Sequence, residues 1–249
     1  LHRADGSTLI LMDQPPQAES VTAPEGASVE ERRALGYNAS ARLAGGRVDA
    51  FVAVAGYLRG RGLSAPVVHA FDADVGLAVL EDLGDDLFVR RIAAGGDEAE
   101  LYAAAVDALV RLHAEVPPAA LEGEGLRWPL HRYDTLAFDA GLDPFLEWWP
   151  RYARTAEPDA QAAAEWSALW APVKALGEQG ADAFAHRDYH AENLLWLPER
   201  QGVARVGMID FQDAVLAHPA WDLLHLLQDA RRDVSPEIER AMLDRYLAA

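Results

Sequence analysis

The chain has 249 residues and a mass of 27.1 kDa, enough to bury a large hydrophobic core in one domain or in two lobes. Its apolar fraction of 51% excludes a disordered chain, and its formal charge of −18 disfavours nucleic-acid binding, because most of the surface repels a polyanion. The sequence contains no cysteine, which excludes disulfides, thiolate nucleophiles and cysteine-ligated metal sites.

The location of the protein is predicted from its apolar pattern. No apolar run approaches about 18 residues, the length at which a membrane-spanning helix is considered. Residues 1–30 lack the basic and then hydrophobic pattern of a signal peptide. We therefore expect a cytoplasmic protein without a membrane partner. The sequence does not specify the oligomeric state. Because the sequence opens on Leu1 in a strand-like pattern and stops at Ala249 in a helical one, we treat it as a possible fragment of a longer chain.

The first 80 residues predict short strands and two helices. The predicted strands lie at 1–12, which forms a hairpin with its turn at 4–7, at 67–69 and at 77–80. The predicted helices lie near 30–43, within a polar excursion, and at 48–59, where the apolar spacing is amphipathic.

After residue 86 the apolar spacing becomes helical. Helices are predicted at 98–115, 144–155, 160–176, 221–231 and 236–247, and strand patterns at 184–196 and 206–211. A β-rich beginning followed by a mostly helical remainder predicts an α+β fold of two lobes, 1–83 and 84–249, with the ligand cleft between them.

Residues 186–193 read HRDYHAEN, which fits the pattern HRDxxxxN. This is the catalytic-loop pattern of protein kinases and their relatives. In such a loop an Asp accepts the proton of a substrate hydroxyl, and an Asn five positions later turns back to bind a metal ion beside the phosphates. The spacing therefore predicts Asp188 as the catalytic base and Asn193 as a metal ligand.

A second acidic position follows the next apolar strand. Met208, Ile209, Asp210 and Phe211 come after a polar turn, where kinases present an Asp to the Mg²⁺ that bridges nucleotide phosphates. This predicts Asp210 as the second metal ligand, and ATP and Mg²⁺ as cofactors. The alternative interpretation is that these are ordinary turn carboxylates beside a buried histidine.

The runs HRDYHAENLLW and MIDFQDAVLAHPAWDLLHLL resemble the aminoglycoside phosphotransferase and choline kinase superfamily. That superfamily shares the two-lobed protein-kinase-like fold but phosphorylates small molecules. His190 favours it, because small-molecule kinases usually place a histidine where protein kinases place a lysine. The resemblance implies that His190 contributes to binding the nucleotide, and that His186 and Asp222 support the catalytic loop.

The segment LAVLEDLGDDLF, residues 77–88, is similar to the hinge between the lobes of this superfamily. The resemblance implies that backbone groups of Glu81, Asp82 and Leu83 meet the adenine edge of ATP. Without the downstream motif, a strand end followed by an acidic turn would describe the segment equally well.

The first lobe departs from the superfamily pattern. The superfamily has a lysine on the third strand that holds the phosphates and pairs with a glutamate of the next helix. Here Met12 stands at the expected lysine position, Lys174 is the one lysine of the sequence, and the helix predicted at 48–59 has no glutamate. The glycine-rich strand–loop–strand would precede Leu1, so the β-rich lobe is expected to be incomplete.

A closer resemblance is to bacterial kinases that phosphorylate the anomeric hydroxyl of N-acetylmuramate and N-acetylglucosamine in cell-wall recycling. It rests on LILMDQPP, the hinge segment and FQDAVLAHPAWDLLHLLQDARRDVSP. It implies a small sugar acceptor that contacts Tyr189, Arg231 or Arg232, the arginines through a lactyl carboxylate. Cations at a helix C-terminus are the alternative interpretation of both arginines. The alternative functions are a kinase of an aminoglycoside or choline-like amine, and a catalytically weak nucleotide-binding regulator.

Overall fold

The computed structural model describes residues 1–2, 4, 6–15, 21–45 and 47–249. Its strands are β1 (Leu9–Asp13), β2 (Val68–Asp72), β3 (Leu77–Glu81), β4 (Ala120–Gly123), β5 (Leu126–Pro129), β6 (Ala183–Ala185), β7 (Leu194–Trp196), β8 (Val206–Met208) and β9 (Val215–Ala217). Its helices are α1 (Val29–Leu35), α2 (Val48–Gly60), α3 (Phe88–Ala93), α4 (Glu98–His113), α5 (Thr135–Ala153), α6 (Ala160–Gln179), α7 (Ala220–Leu227) and α8 (Pro236–Leu247). Within these ranges no helix is long and apolar enough to cross a membrane.

Three antiparallel strands form the sheet of the first lobe, in the order β1-β3-β2. Leu9 lies opposite Glu81, and the hinge continues from the end of the central strand. A bridge between His2 and Thr8 confirms the ends of the predicted hairpin. Residues 3 and 5 of this hairpin lie outside the described residues, and so do residues 16–20 and 46 of the segment that follows it.

One large hydrophobic core runs from the first lobe into the second. It includes α2, the central strand β3 and the buried face of α4. Four residues that share one face of α4 are fully or almost fully buried: Leu101, Ala105, Leu109 and Leu112. Each buried leucine contributes about 1.5–3 kcal/mol relative to an exposed one. This packing confirms the helix predicted at 98–115, which the structure ends at His113.

The segment 21–45 packs against the helical lobe, although it precedes α2 in the sequence. Ala23 and Leu43 share a second buried cluster with Tyr133 and Val215. The segment is also held by buried Arg32, whose guanidinium donates to the backbone carbonyls of Ala39 and Ser40 and binds both carboxylate oxygens of Asp134. A stretch that sequence order assigns to the first lobe is therefore fastened to the second.

Several elements differ from the sequence-based expectation. Helix α5 begins at Thr135 rather than at 144, because Asp134 caps it by accepting a hydrogen bond from the Ala137 amide, and Pro144 lies inside the helix. The hairpin of β4 and β5 was not predicted. Its two-residue turn places Glu124 at φ 53° and Gly125 at φ 77°, which is the geometry of a tight hairpin turn.

His113 fastens the end of α4 to two other elements. Its Nε2 lies 3.1 Å from the carbonyl oxygen of Phe184, and its Nδ1 lies 2.8 Å from the hydroxyl of Tyr246. These partners fit a neutral ring that donates from Nε2 and accepts at Nδ1. Burial lowers the pKa of His113 from 6.5 to about 4, against a smaller opposing effect of the Phe184 carbonyl.

We expect His113→Gln to remove part of the acid sensitivity of the fold. Between pH 6.5 and pH 4 the unfolded chain binds a proton at His113 that the folded chain does not, so the stability due to this residue falls as the pH falls. Glutamine can keep both hydrogen bonds and does not titrate. From pH 7 to pH 5 the wild type should lose up to about 2 kcal/mol of unfolding free energy that the variant retains. Urea unfolding at both pH values measures this difference, and equal losses in the two proteins would contradict it.

Candidate active site

The hairpin of β7 and β8 brings two predicted metal ligands to one end. Leu194 lies opposite Met208, and the amide of Ile209 donates to the carbonyl of Asn193 at 3.1 Å. Asn193 precedes β7 and Asp210 follows Ile209, so the two residues lie at the same end of the hairpin.

The catalytic loop closes on itself through Asp188. The Asp188 carbonyl accepts hydrogen bonds from the Asn193 side-chain amide at 3.0 Å and from the His190 backbone amide at 3.1 Å. These contacts use only the backbone of Asp188. Its carboxylate is 43% exposed and lies 4.0 Å from Nε2 of His190. Because hydrogen bonds fix the backbone of Asp188 while its carboxylate stays open to solvent, the carboxylate is suited to accept a proton from a bound hydroxyl.

Two buried residues hold the start of this loop. The Asp222 carboxylate accepts hydrogen bonds from the backbone amides of His186 and Arg187 at 2.7 and 2.9 Å. Burial raises the pKa of Asp222 to about 7, while the two amide donors act in the opposite direction. His186 is fully buried and accepts from the Asp188 amide through Nδ1 at 3.3 Å.

The pKa of His186 depends on its burial and on nearby carboxylates. Burial lowers the pKa of His186 to about 4, and the carboxylates of Asp188 and Asp210 both act to raise it. Arg187 and Asp210 also have positive φ angles, 79° and 61°, an uncommon backbone region for residues other than glycine that is often found at functional sites.

A cavity of about 570 Å³ opens between the sheet of the first lobe and this site. It is lined by the hinge residues 81–85 and by apolar side chains of both lobes, among them Met12, Phe51, Leu195 and Ile209. In the described part of the chain the N–H and C=O of Leu83 have no hydrogen-bond partner. An apolar cavity with an unpaired backbone N–H and C=O at its edge fits the hydrogen-bonding edge of a purine ring.

The side chains of the other hinge residues are engaged elsewhere. The Glu81 carboxylate accepts from the Val67 amide at 3.0 Å and binds Arg200 of the turn after β7 at 2.5 Å. Asp82 accepts from the Thr8 hydroxyl at 2.6 Å and from the Gly84 amide at 2.9 Å. The hinge therefore offers backbone rather than side-chain groups to the cavity.

A family model described as "Phosphotransferase enzyme family" matches residues 2–249. The chain belongs to this family. The curated N-acetylmuramate/N-acetylglucosamine kinase of Caulobacter vibrioides is 63% identical over 249 residues, which is 100% of this chain and 68% of that protein. A kinase of the same name from Pseudomonas aeruginosa is 28% identical over 196 residues, 79% of this chain and 54% of that protein. The chain thus spans about half to two thirds of the length of these relatives.

Solved structures confirm the predicted fold class. An aminoglycoside phosphotransferase from Streptomyces rimosus superposes with a TM-score of 0.55 at 18% identity, covering 98% of this chain and 81% of that one. A choline kinase from Streptococcus pneumoniae superposes with a TM-score of 0.52 at 19% identity, covering 82% of this chain and 63% of that one. These structures show the shared fold, and the family model over residues 2–249 confirms the predicted superfamily resemblance.

The candidate acceptor residues of the phosphotransferase fall into three different environments. The prediction for Tyr189 is wrong, because its ring is fully buried and its hydroxyl donates to the Ala105 carbonyl of α4 at 2.9 Å. Arg232 is engaged with the Tyr102 hydroxyl at 2.6 Å and with Glu98 at 2.7 Å. Arg231 is 48% exposed and lies beside the catalytic loop.

The two candidate metal ligands fit Mg²⁺ better than they fit a metal ion that is coordinated by protein side chains alone. The described ranges hold no group of three or more His, Cys, Asp or Glu residues that could bind a metal ion. Asn193 and Asp210 supply oxygen donors, and Mg²⁺ commonly takes one or two protein ligands and completes its shell with water and phosphate oxygens. His190 is buried next to them, with Nε2 3.3 Å from the Asn193 side-chain amide. Burial has the largest lowering effect on the pKa of His190, and the positive charge of Arg231 lowers this pKa further.

Two contacts beside this site were not predicted. The ring of Phe211 packs on Phe51 of α2 with centroids 4.7 Å apart, and the Asp213 carboxylate binds Nε of Arg42 at 2.5 Å. Asp213 belongs to the run DFQDA, so its acidic character was visible in the sequence. Nothing near Arg42 indicates a partner 171 residues away.

Proposed function

We propose that this phosphotransferase transfers the γ-phosphoryl group of ATP to the anomeric hydroxyl of N-acetylmuramate or N-acetylglucosamine. The observation that supports the proposal is an open carboxylate, Asp188, in one loop with Asn193, whose carbonyl binds the amide of the residue before Asp210, next to strands that line an apolar cavity. The name of the relative that is 63% identical over the full chain supports the choice of acceptor.

Each residue of the site has a proposed task. Asp188 accepts the proton of the attacking hydroxyl, which is more acidic at an anomeric carbon than in an ordinary alcohol. The hydroxyl oxygen forms a bond to the γ-phosphorus while the bond to the departing ADP oxygen breaks. Asn193 and Asp210 would hold Mg²⁺, which when bound neutralises charge on the phosphate oxygens. The backbone of Leu83 would meet the adenine edge, and as a user of ATP the protein is expected in the cytoplasm.

An acceptor panel tests the proposal. The full-length protein would be incubated with ATP and Mg²⁺ and, separately, N-acetylmuramate, N-acetylglucosamine, kanamycin and choline. We expect ADP formation only with the sugars, and phosphorus NMR should place the new phosphate on C1. Turnover of kanamycin or choline alone would favour the amine-kinase alternative. Tight ATP binding without turnover of any acceptor would favour a regulator.

Arg231 is proposed to receive the lactyl carboxylate of N-acetylmuramate. Its present partners are loose, with Nε 3.5 Å from Glu192 and a terminal nitrogen 3.7 Å from Asp229. Glu192 belongs to the same loop as Asp188, and His190 of that loop has its ring 4.0 Å from the Asp188 carboxylate. We propose that the acceptor carboxylate exchanges with Glu192 while the anomeric hydroxyl meets Asp188.

Arg231→Gln should separate the two sugars, which differ in the lactyl group. We expect kcat/KM for N-acetylmuramate to fall about 10- to 100-fold, because a charge-assisted hydrogen bond is lost, with kcat/KM for N-acetylglucosamine nearly unchanged. Arg240→Gln, which removes an exposed arginine of α8, is the matched control. Equal losses for both sugars would contradict the assignment, and so would a variant with wild-type kinetics on both.

A further inference from the structure

Helix α2 lacks the ion pair that braces the corresponding helix in the superfamily. Among the described residues, none of the ion pairs joins α2 to β1, where Met12 faces the cavity. Asp49, the one acidic residue of α2, is held by neighbouring Arg47 at 2.7 Å. Lys174 is buried in α6 and lies 2.5 Å from Asp139 of α5. The register between α2 and the metal-binding loop therefore depends on other contacts.

Arg42 approaches the metal-binding loop from a fixed position. It ends the π-helical turn Asn38–Arg42, whose first four residues are buried against the helical lobe. Arg32 ties this turn to Asp134 at the start of α5. The turn lies only a few residues before α2 in the sequence, so Arg42 reaches the loop from the segment that leads into that helix.

The Arg42 guanidinium binds Asp213, which lies three residues after Asp210. Their side chains are 24% and 16% exposed, so the pair is largely shielded from water. The second oxygen of Asp213 is buried and has no hydrogen-bond partner in the part of the chain described here. Arg187 of the catalytic loop donates to the backbone carbonyl of Arg42. Removing the Arg42 charge would leave a mostly buried carboxylate poorly compensated, which is strongly destabilising for its loop.

The opposite side of the same loop is held by aromatic packing. Phe211 lies against Phe51 of α2, and Asp210, which directly precedes Phe211 and follows the hydrogen-bonded Ile209, adopts the left-handed conformation. A residue in that conformation keeps its direction only when its neighbours over-determine it. We propose that Arg42 and Asp213 are positioning residues that hold Asp210 and its metal ion in register with α2. They do the work of the missing lysine–glutamate pair, and this inference rests on the proposed function.

Arg42→Gln and Asp213→Asn test the inference in the full-length protein. Titration calorimetry should show Mg²⁺–ADP binding weakened about 10- to 100-fold in each variant, as is typical when the support of a metal ligand is lost. Binding of ADP in EDTA should stay at the wild-type value. The half-saturating Mg²⁺ concentration in the kinase assay should rise while KM for the sugar stays constant. The double variant should be little worse than either single one, because both break one contact.

Two controls separate positioning from general stability. Arg42→Lys should restore part of the Mg²⁺–ADP affinity, because it keeps the charge beside Asp213. Arg33→Gln removes an exposed arginine from the same segment and should behave as wild type. Variants at Arg42 and Asp213 that only melt earlier, with unchanged Mg²⁺–ADP affinity, would overturn the inference and leave the kinase assignment intact. A wild-type protein that binds no Mg²⁺–ADP would overturn both.

Discussion

Asp188→Asn is expected to lower kcat about 10²- to 10⁴-fold, the range for loss of a general base. The substitution removes the proton acceptor but leaves the loop intact, because the bonds that Asp188 makes to His186, His190 and Asn193 all use its backbone. Nucleotide affinity should therefore be within about 3-fold of wild type, since an interaction confined to the transition state has been removed. Steady-state kinetics and titration with ADP measure the two quantities.

The control for this variant is Asp182→Asn, which removes an exposed carboxylate from the turn before β6. It should retain wild-type kcat and stability. A variant at Asp188 that keeps most of its kcat would show that proton removal is performed elsewhere. Loss of nucleotide binding together with activity would instead assign Asp188 to the metal site.

Asp210→Asn is expected to act through the metal rather than through proton transfer. Asparagine tolerates the left-handed backbone at this position and can still accept the 2.6 Å hydrogen bond from Gln212, so the loop should keep its shape. It loses the full negative charge that attracts Mg²⁺. We expect kcat to fall about 10²- to 10³-fold at ordinary Mg²⁺, comparable with the loss of one electrostatic contact to the transition state.

The dependence on metal distinguishes the two aspartates. Raising Mg²⁺ should recover part of the activity of Asp210→Asn and none of that of Asp188→Asn. Kinetics at 1 and at 50 times the wild-type half-saturating concentration would show the difference, on the order of the affinity changes seen when a metal ligand is altered. An Asp210 variant with wild-type Mg²⁺ dependence would remove Asp210 from the metal site.

The hairpin that carries the candidate site could be predicted from the sequence because its residues are close together along the chain. Asp188 and Asn193 lie within one loop, and Asp210 follows the next strand, so pairing of two short strands suffices to bring them together. The buried stripe of α4 is likewise a local periodicity that only one face of a helix can satisfy.

Contacts between segments that are far apart in the sequence could not be predicted in the same way. The Arg42–Asp213 pair depends on how the segment 21–45 lies across the helical lobe, and no local pattern specifies that path. Tyr189 shows the opposite error, since its position next to the base suggested acceptor contact while the backbone turns its ring into the core below α4. Side-chain direction within an irregular loop is decided by tertiary packing rather than by spacing.

The fastening of residues 21–45 to the helical lobe limits what can move when the cleft opens. Helix α2 is held to the same side, because Phe51 rests on Phe211, and the strand β3 packs into the same core as α2 through Ala78 and Leu80. The sheet of the first lobe is therefore tied to the helical lobe through α2 as well as through the hinge. The Glu81–Arg200 pair adds a third tie, because it joins the end of β3 to the turn after β7 and would resist separation of the two.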